Sequence, residues 1–337
     1  MSIMDMVQNF LRPMIAVGQR IAGSIASGPQ LAVLGLVLAA GAWGLSFVVT
    51  HGAVSIYPVV AFLFLRFAVG GAALVGVGLM SPSARKRWAG VPKSKLLWLG
   101  AVLAVAYLAQ TVGLELGVSP GVAAAVTSLV VVLTPGLEWA LRGKAPDARV
   151  AAGAMLALGG TLLVCLTVPF GSDSGHARVA LGMVLELVAA GAFSLQVVLV
   201  GRIGRRVPAL ALGAWQLLTL AAVLAVAVPF TGGIPRPSTS VVAAVVFCGL
   251  AASAFAFAVQ AAAQQHVSSS MAALIMAIEP GVALVGGAVT GIQALTPIAL
   301  FGLMLLLAGA LAHGGDGAVR LVRRGLSTPL RWLPRPA

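Results

Sequence analysis

Acidic side chains are nearly missing from this sequence: 8 Asp and Glu stand against 21 Lys and Arg in 337 residues. Charged residues of both signs make up only 9% of the chain. A soluble domain carries about 25%, so a conventional solvated surface is excluded. Cysteine is limited to Cys165 and Cys248, both inside apolar runs, and no zinc-type or redox spacing exists. Both read as small packing residues. The four histidines, His51, His176, His266 and His313, are scattered and never fall at metal-ligand spacing. No metal centre or cofactor site is expected, nor any catalytic residue. A membrane-embedded lipid-modifying enzyme would need a reactive His/Asp or metal constellation at one interface, and none is present.

What the chain has instead is apolar length. It is 60% hydrophobic, with a mean hydropathy of +1.06. Ten apolar segments run at roughly 30–50, 57–80, 96–117, 119–141, 150–169, 178–200, 208–230, 241–263, 268–290 and 294–313. Each has about the 20 residues that a spanning helix needs. Backbone groups in hydrocarbon must bond internally, so these runs are helices. A closed barrel would show alternation, which these runs lack. The fold class is therefore an all-α integral membrane protein with ten transmembrane helices. The lipid bilayer is its first partner.

The basic residues orient the helices. Arg12 and Arg20 precede the first segment, and Arg85, Lys86, Arg87, Lys93 and Lys95 follow the second. Arg142, Lys144 and Arg149 follow the fourth, and Arg202, Arg205 and Arg206 the sixth. Arg320, Arg323, Arg324, Arg331 and Arg335 lie in the tail, whereas only Arg178 and Arg236 fall on the opposite side. Basic residues accumulate in the cytoplasm, which predicts a multi-pass protein of the cytoplasmic membrane with both termini inside. Nucleic-acid binding is disfavoured, because the charge lies in short loops and a tail rather than a folded patch. The tail reads either as a topology signal or as a contact for anionic lipid. Residues 1–28 read as a cytoplasmic amphipathic segment lying on the leaflet.

The halves repeat. Gly41-Ala42-Trp43 matches Gly191-Ala192-Phe193 and Pro58 matches Pro208, both at offset 150, which places Arg66 on Gln216. Gly100 matches Gly249 and Gly153 matches Gly302 at offset 149, and Thr134-Pro135-Gly136 pairs with Glu279-Pro280-Gly281 at offset 145. Five helices per half means that the second half enters from the opposite side, an inverted repeat. The expected units are the segment 1–28, a first repeat over 29–169, a second over 178–313 and a basic cytoplasmic tail over 314–337. Secondary transporters built this way place their site near the midplane between repeats.

Three stretches resemble the EamA-like branch of the drug/metabolite transporter superfamily. They are GAWGLSFVVTHGAVSIYPVVAFLFLRFAVGGAAL (41–74), TVGLELGVSPGVAAAVTSLVVVLTPGLEWAL (111–141) and AIEPGVALVGGAVTGIQALTPIALFGLMLLLAGALA (277–312). The resemblance implies two inverted five-helix repeats around a cavity lined by helices 1–4 and 6–9. It also implies movement of a small metabolite, amino acid or drug without ATP hydrolysis, with efflux the favoured direction. The family often has a glutamate just after helices 4 and 9. Here Lys144 follows Gly143, and Gln293 stands near Gly291.

Five charges fall inside predicted helices: Arg66, Glu115, Glu138, Glu186 and Glu279. A charge at mid-membrane costs roughly 2.5–3.5 kcal/mol on insertion scales, so such residues are functional candidates by default. Arg66 reads as a counter-ion to a substrate carboxylate or to Glu279, or else as one half of a permanent ion pair with Glu186 or Glu279. Glu279 reads as a protonatable coupling site, with protons a second partner, or else as a cap on the break at Pro280. Glu186 is a third candidate for the cavity, while Glu115 and Glu138 lie near helix ends and read as structural or rim residues. Trp43, Tyr107, Gln110, Gln196, Gln216 and Gln260 are the polar or aromatic residues expected to line the cavity or to bond across helices. Pro135 and Pro280 are expected to distort their helices. The reading is a secondary transporter acting by alternating access on a small-molecule substrate, as monomer or homodimer. A channel or a non-transporting scaffold is the alternative.

Overall fold

The computed structural model describes residues 29–80, 88, 90–143, 145, 148–167 and 174–309. The predicted surface segment 1–28 and the tail 314–337 lie outside the described residues. Among those described there is no strand. The first half comprises α1 (Pro29–Val54), α2 (Val59–Leu79), α3 (Lys93–Glu115), α4 (Pro120–Thr127), α5 (Val130–Arg142) and α6 (Ala148–Cys165). The second comprises α7 (Ser174–Ile203), α8 (Ala209–Ala227), α9 (Thr239–Gly249), a π-helical segment (Leu250–Phe255), α10 (Ala256–Ala263), α11 (Ser269–Met276) and α12 (Glu279–Val289). The shorter apolar helix α13 (Pro297–Gly309) closes the described chain.

Nine of the ten predicted spans are long and apolar enough to cross a bilayer. The tenth corresponds to α13, whose predicted continuation to 313 lies outside the described residues. Four spans are composite: the seventh is α8 followed by a 3-10 turn over Val228–Thr231. The fourth is α4 plus α5, the eighth is α9, the π-segment and α10, and the ninth is α11 plus α12.

Packing follows the repeat. The third span packs on the sixth (α3 on α7), as the eighth packs on the first (α10 on α1). The second packs on the eighth (α2 on α9), as the seventh packs on the third (α8 on α3). The second and seventh spans pack on each other, and so do the fourth and ninth, where α4 meets α12 and α5 meets α11. Each contact thus maps onto another, or onto itself, when the halves are exchanged.

Small residues make these contacts possible, because helices in lipid associate through close van der Waals packing rather than a hydrophobic gradient. On α6 and α13 the pairs are reciprocal: a Cβ on Gly160 would collide with the Gly302 carbonyl, and one on Gly309 would collide with the Gly153 carbonyl. A Cβ on Gly100 would meet the Gln216 carbonyl at 3.1 Å, and one on Gly249 would meet the Arg66 carbonyl at 3.0 Å. Exchanging the halves by the pairings read from sequence, Gly100 with Gly249 and Arg66 with Gln216, therefore turns one of these contacts into the other. Pro58 and Pro208 match as well, each preceding a helix with φ −57° and −56°.

These glycines make a stability prediction. Gly160→Val should lower the apparent unfolding temperature of the detergent-purified protein markedly, since overpacking against backbone costs about 1–3 kcal/mol or more. Gly159→Val, one residue away with open space at its Cβ position, should leave it nearly unchanged. A thermal melt of the two variants beside the parent checks this.

The two broken spans do not both break at their prolines. The fourth span does not break at Pro135, which sits inside α5. It breaks at Ser128-Leu129, where α4 ends and α5 begins. The Thr127 hydroxyl donates to the carbonyls of Ala123 and Ala124, and the Ser128 hydroxyl donates to that of Ala124. Hydroxyls that bond back onto the previous turn bend helices. The ladder then tightens: the Leu129, Val131 and Val132 amides reach only three residues back, to Val126, Ser128 and Leu129. In the ninth span the break lies at Ala277-Ile278, just before Glu279-Pro280. There the missing proline N–H and the ring's clash with the preceding turn give the reason. The two breaks correspond at offset 149, so the counterpart of Glu279 is Val130 and not Thr134.

Candidate functional site

The two breaks face one cavity. Thr127, Ser128 and Val130 line it from the fourth span, and Met276, Ala277 and Glu279 line it from the ninth. These six are three pairs at offset 149. The first span adds Trp43, Ser46 and Phe47, and the sixth adds Phe193, Gln196 and Val197. Tyr107 and Gln110 of α3 and Phe257 and Gln260 of α10 complete the wall, with Ala273 of α11. The cavity volume is about 60 Å³.

The aromatic wall is interlocked edge to face. Tyr107 packs against Phe67 at 4.7 Å between centroids and against Phe193 at 5.1 Å, and Trp43 packs against Phe257 at 5.5 Å. Trp43 is fixed further by its indole N–H, which donates to the Ala252 carbonyl at 2.8 Å. Ala252 belongs to the π-helical segment of the eighth span. Such segments carry one residue too many per turn and recur at functional sites.

The amide wall is a chain. The Gln196 amide nitrogen donates to Gln216 Oε1 at 2.8 Å and to Gln260 Oε1 at 3.2 Å. Gln260 returns a bond to Gln196 Oε1 at 3.3 Å, and Gln216 donates to the Leu212 carbonyl at 3.2 Å. Gln196 and Gln260 face the cavity; Gln216 is fully buried behind them and buttresses the pair.

Glu279 is the carboxylate on the cavity wall. Its side chain makes no hydrogen bond or ion pair among the described residues. Gly44 of α1 lies against it: a Cβ there would meet the Glu279 carbonyl oxygen at 2.7 Å. The backbone of α1 therefore passes the start of α12 as closely as glycine allows.

Six of the nine sequence-predicted residues, Trp43, Tyr107, Gln110, Gln196, Gln260 and Glu279, line this cavity. Arg66, Glu186 and Gln216 do not. Glu186 is 0% exposed, both its oxygens lack partners, and it is held in the seam between α3 and α7 beside Gly113. The predicted cavity role for Glu186 is not supported by that position. Neither Glu186 nor Glu279 forms an ion pair with Arg66 among the described residues, so the permanent-pair reading of Arg66 is removed as well. Glu138 accepts a bond from the Ser270 hydroxyl at 2.7 Å, and Glu115 is exposed at the end of α3.

Sequence reasoning passed over Ser46, Phe47, Thr127, Ser128, Val130, Phe193, Met276 and Ala277. The signal for the helix-4 residues was present as adjacent hydroxyls, Thr127-Ser128, in the middle of an apolar span. Gln293 also has a definite place: its Oε1 accepts from the Gly121 amide at 2.9 Å, and its Nε2 donates to the Leu284 carbonyl at 3.3 Å. It thereby caps the start of α4, whose own N-cap residue Ser119 makes no side-chain capping bond.

The family model described as the EamA-like transporter family matches twice, over residues 30–166 and 180–313. An uncharacterized transporter of Archaeoglobus fulgidus is 27% identical over 274 residues, covering 81% of this chain and 82% of that protein. A solved crystal structure superposes with a TM-score of 0.65 at 21% identity, covering 84% of this chain and 96% of the other. At that identity it speaks for the fold alone.

Proposed function

This chain belongs to the EamA-like transporter family, and we propose that it is a secondary transporter whose substrate path runs through the cavity at the two helix breaks. A single observation carries the reading: both discontinuous spans, from opposite halves, open onto the same small space, and only one of them brings a carboxylate. Discontinuous helices at the interface of inverted repeats are where secondary transporters place substrate and coupling sites. The cargo is a small organic molecule held by the aromatic and amide walls.

Glu279 is the coupling residue. Its carboxyl takes a proton from one side and releases it to the other as the cavity changes its exposure. Its counterpart Val130 cannot do this, so coupling rests on one repeat. The basic loops set both termini in the cytoplasm, and export across the cytoplasmic membrane is the direction we assign, on the resemblance that the sequence carries.

The test is uptake into proteoliposomes of the purified full chain, with a panel of small metabolites and drug-like compounds and an imposed pH gradient. At least one solute should accumulate above its external concentration, and a proton ionophore should abolish that accumulation. Downhill flux indifferent to the gradient would support a channel instead, and no flux above protein-free vesicles would support a scaffold.

A further inference from the structure

Behind Tyr107, outside the residues that line the cavity, Arg66 is held among polar and aromatic side chains. Arg66 is 1% exposed. Its Nε donates to Ser253 Oγ at 3.0 Å, and Nη1 lies 3.5 Å from Thr50 Oγ1, a marginal bond. Nη2 is buried with no partner. The guanidinium carbon stands 4.9 Å from the centroid of Tyr107 and 5.0 Å from that of Phe67. A bond from the Tyr57 hydroxyl to the Pro235 carbonyl at 2.7 Å ties the α1–α2 connection to the α8–α9 connection. Burial raises the Tyr57 phenol above its ordinary value, so this donor keeps its proton at physiological pH.

An arginine cannot shed its charge by deprotonation. Buried charges are paired, and the exceptions demand an explanation. Two aromatic faces and one hydroxyl stabilise this cation, but they leave the Nη2 N–H donors empty and supply no negative charge. If Arg66 were only a packing residue, carbonyl oxygens or a carboxylate would be expected around Nη2. Ser253 lies in the π-helical segment whose Ala252 carbonyl anchors Trp43. One irregular turn therefore positions both the arginine and a wall residue of the cavity. The single ring of Tyr107 touches both the cavity and the guanidinium.

We propose that Arg66 is an anion subsite of the transport path, which receives the carboxylate of an organic monoanion with an apolar or aromatic body once Tyr107 turns aside. The aromatic wall takes the body and Nη2 takes the oxyanion. Glu279, on the cavity wall, disfavours the reverse orientation by like charge. The proposal rests on the transport reading above, and its test does not require transport.

The experiment is thermal unfolding and equilibrium binding of the full chain in detergent. Benzoate and phenylacetate are compared with their uncharged counterparts, benzamide and phenylacetamide, at matched concentration. The carboxylates should stabilise the wild-type protein by several degrees and the amides much less. Arg66→Gln should weaken carboxylate binding about 10- to 100-fold, the loss of a charge-assisted bond, and leave amide binding unchanged. If that variant fails to fold, Arg66→Lys answers the same question: it keeps the charge but loses the planar fork, so carboxylate preference should persist with weaker binding. Equal effects of acids and amides on the wild type, no response to either acid, or undiminished carboxylate preference in Arg66→Gln would each overturn the assignment. Binding without any uptake in vesicles would leave the Arg66 subsite standing and remove the transport reading.

Discussion

Glu279→Gln should uncouple the protein while leaving its path open. In vesicles with a pH gradient, the wild-type protein should concentrate its solute. One coupled proton per solute sustains about a tenfold ratio for each pH unit, since a factor of ten is about 1.4 kcal/mol. The variant should bring that ratio back to about 1. Exchange of labelled for unlabelled solute with no gradient should remain within a few-fold of the wild type. The argument is geometric. Glu279 faces the cavity with no partner to hold its charge, and it begins α12 at the break in the ninth span. Gln keeps its size and the amide can still meet water, so the helix break set by Pro280 persists. If accumulation survives in Glu279→Gln, the coupling role fails, and the carboxylate is only a polar group tolerated beside water.

The second large effect concerns the two breaks themselves. Ser128→Cys and Ala277→Cys, each in a background with Cys165 and Cys248 replaced by Ala, place a thiol at equivalent points on the two breaks. Modification by a water-soluble methanethiosulfonate should reduce exchange at least about tenfold in both, because the added group occupies the cavity that both breaks line. Saturating solute should slow the modification. Gly159→Cys, in the membrane-spanning α6 away from the cavity and with nothing within 4 Å of its Cβ position, should escape the reagent, which needs a thiolate in water, and its exchange should be unchanged. Inhibition at one break and not the other would show that the path is not shared between the halves.

The spans and their pairing were readable from the sequence because both rest on strong, local constraints. Bilayer thickness dictates helix length, and close packing dictates glycine, as at Gly100 with Gly249 and Gly153 with Gly302. Trp43 and Phe193, matched at offset 150, both reach the cavity. The position of a break is a weaker signal. Proline marks it in the ninth span, but the same residue in the fourth span sits inside α5, and two hydroxyls mark the break instead. The offset of 145 that paired Thr134 with Glu279 aligned two prolines rather than two turns.

Which face a mid-helix polar residue presents was hidden for a different reason. Helices with apolar residues all round carry little periodicity. Glu186 was therefore indistinguishable from Gln196 ten residues later, although one lies in the α3–α7 seam and the other on the cavity. Arg66 was legible as an anomaly, but its missing partner was not. That fact depends on the π-helical segment, which brings Ser253 to it, and on Tyr107, which stands between it and the cavity.

The account turns on a cavity that serves both faces of the membrane in alternation. Trans-stimulation tests this most directly: uptake of a labelled solute by wild-type vesicles is measured with the same unlabelled solute either absent from or loaded into the lumen. Alternating access predicts that loading accelerates labelled uptake severalfold, because the loaded carrier returns faster than the empty one. Uptake at the same rate with and without internal solute would contradict it and point to an open pore.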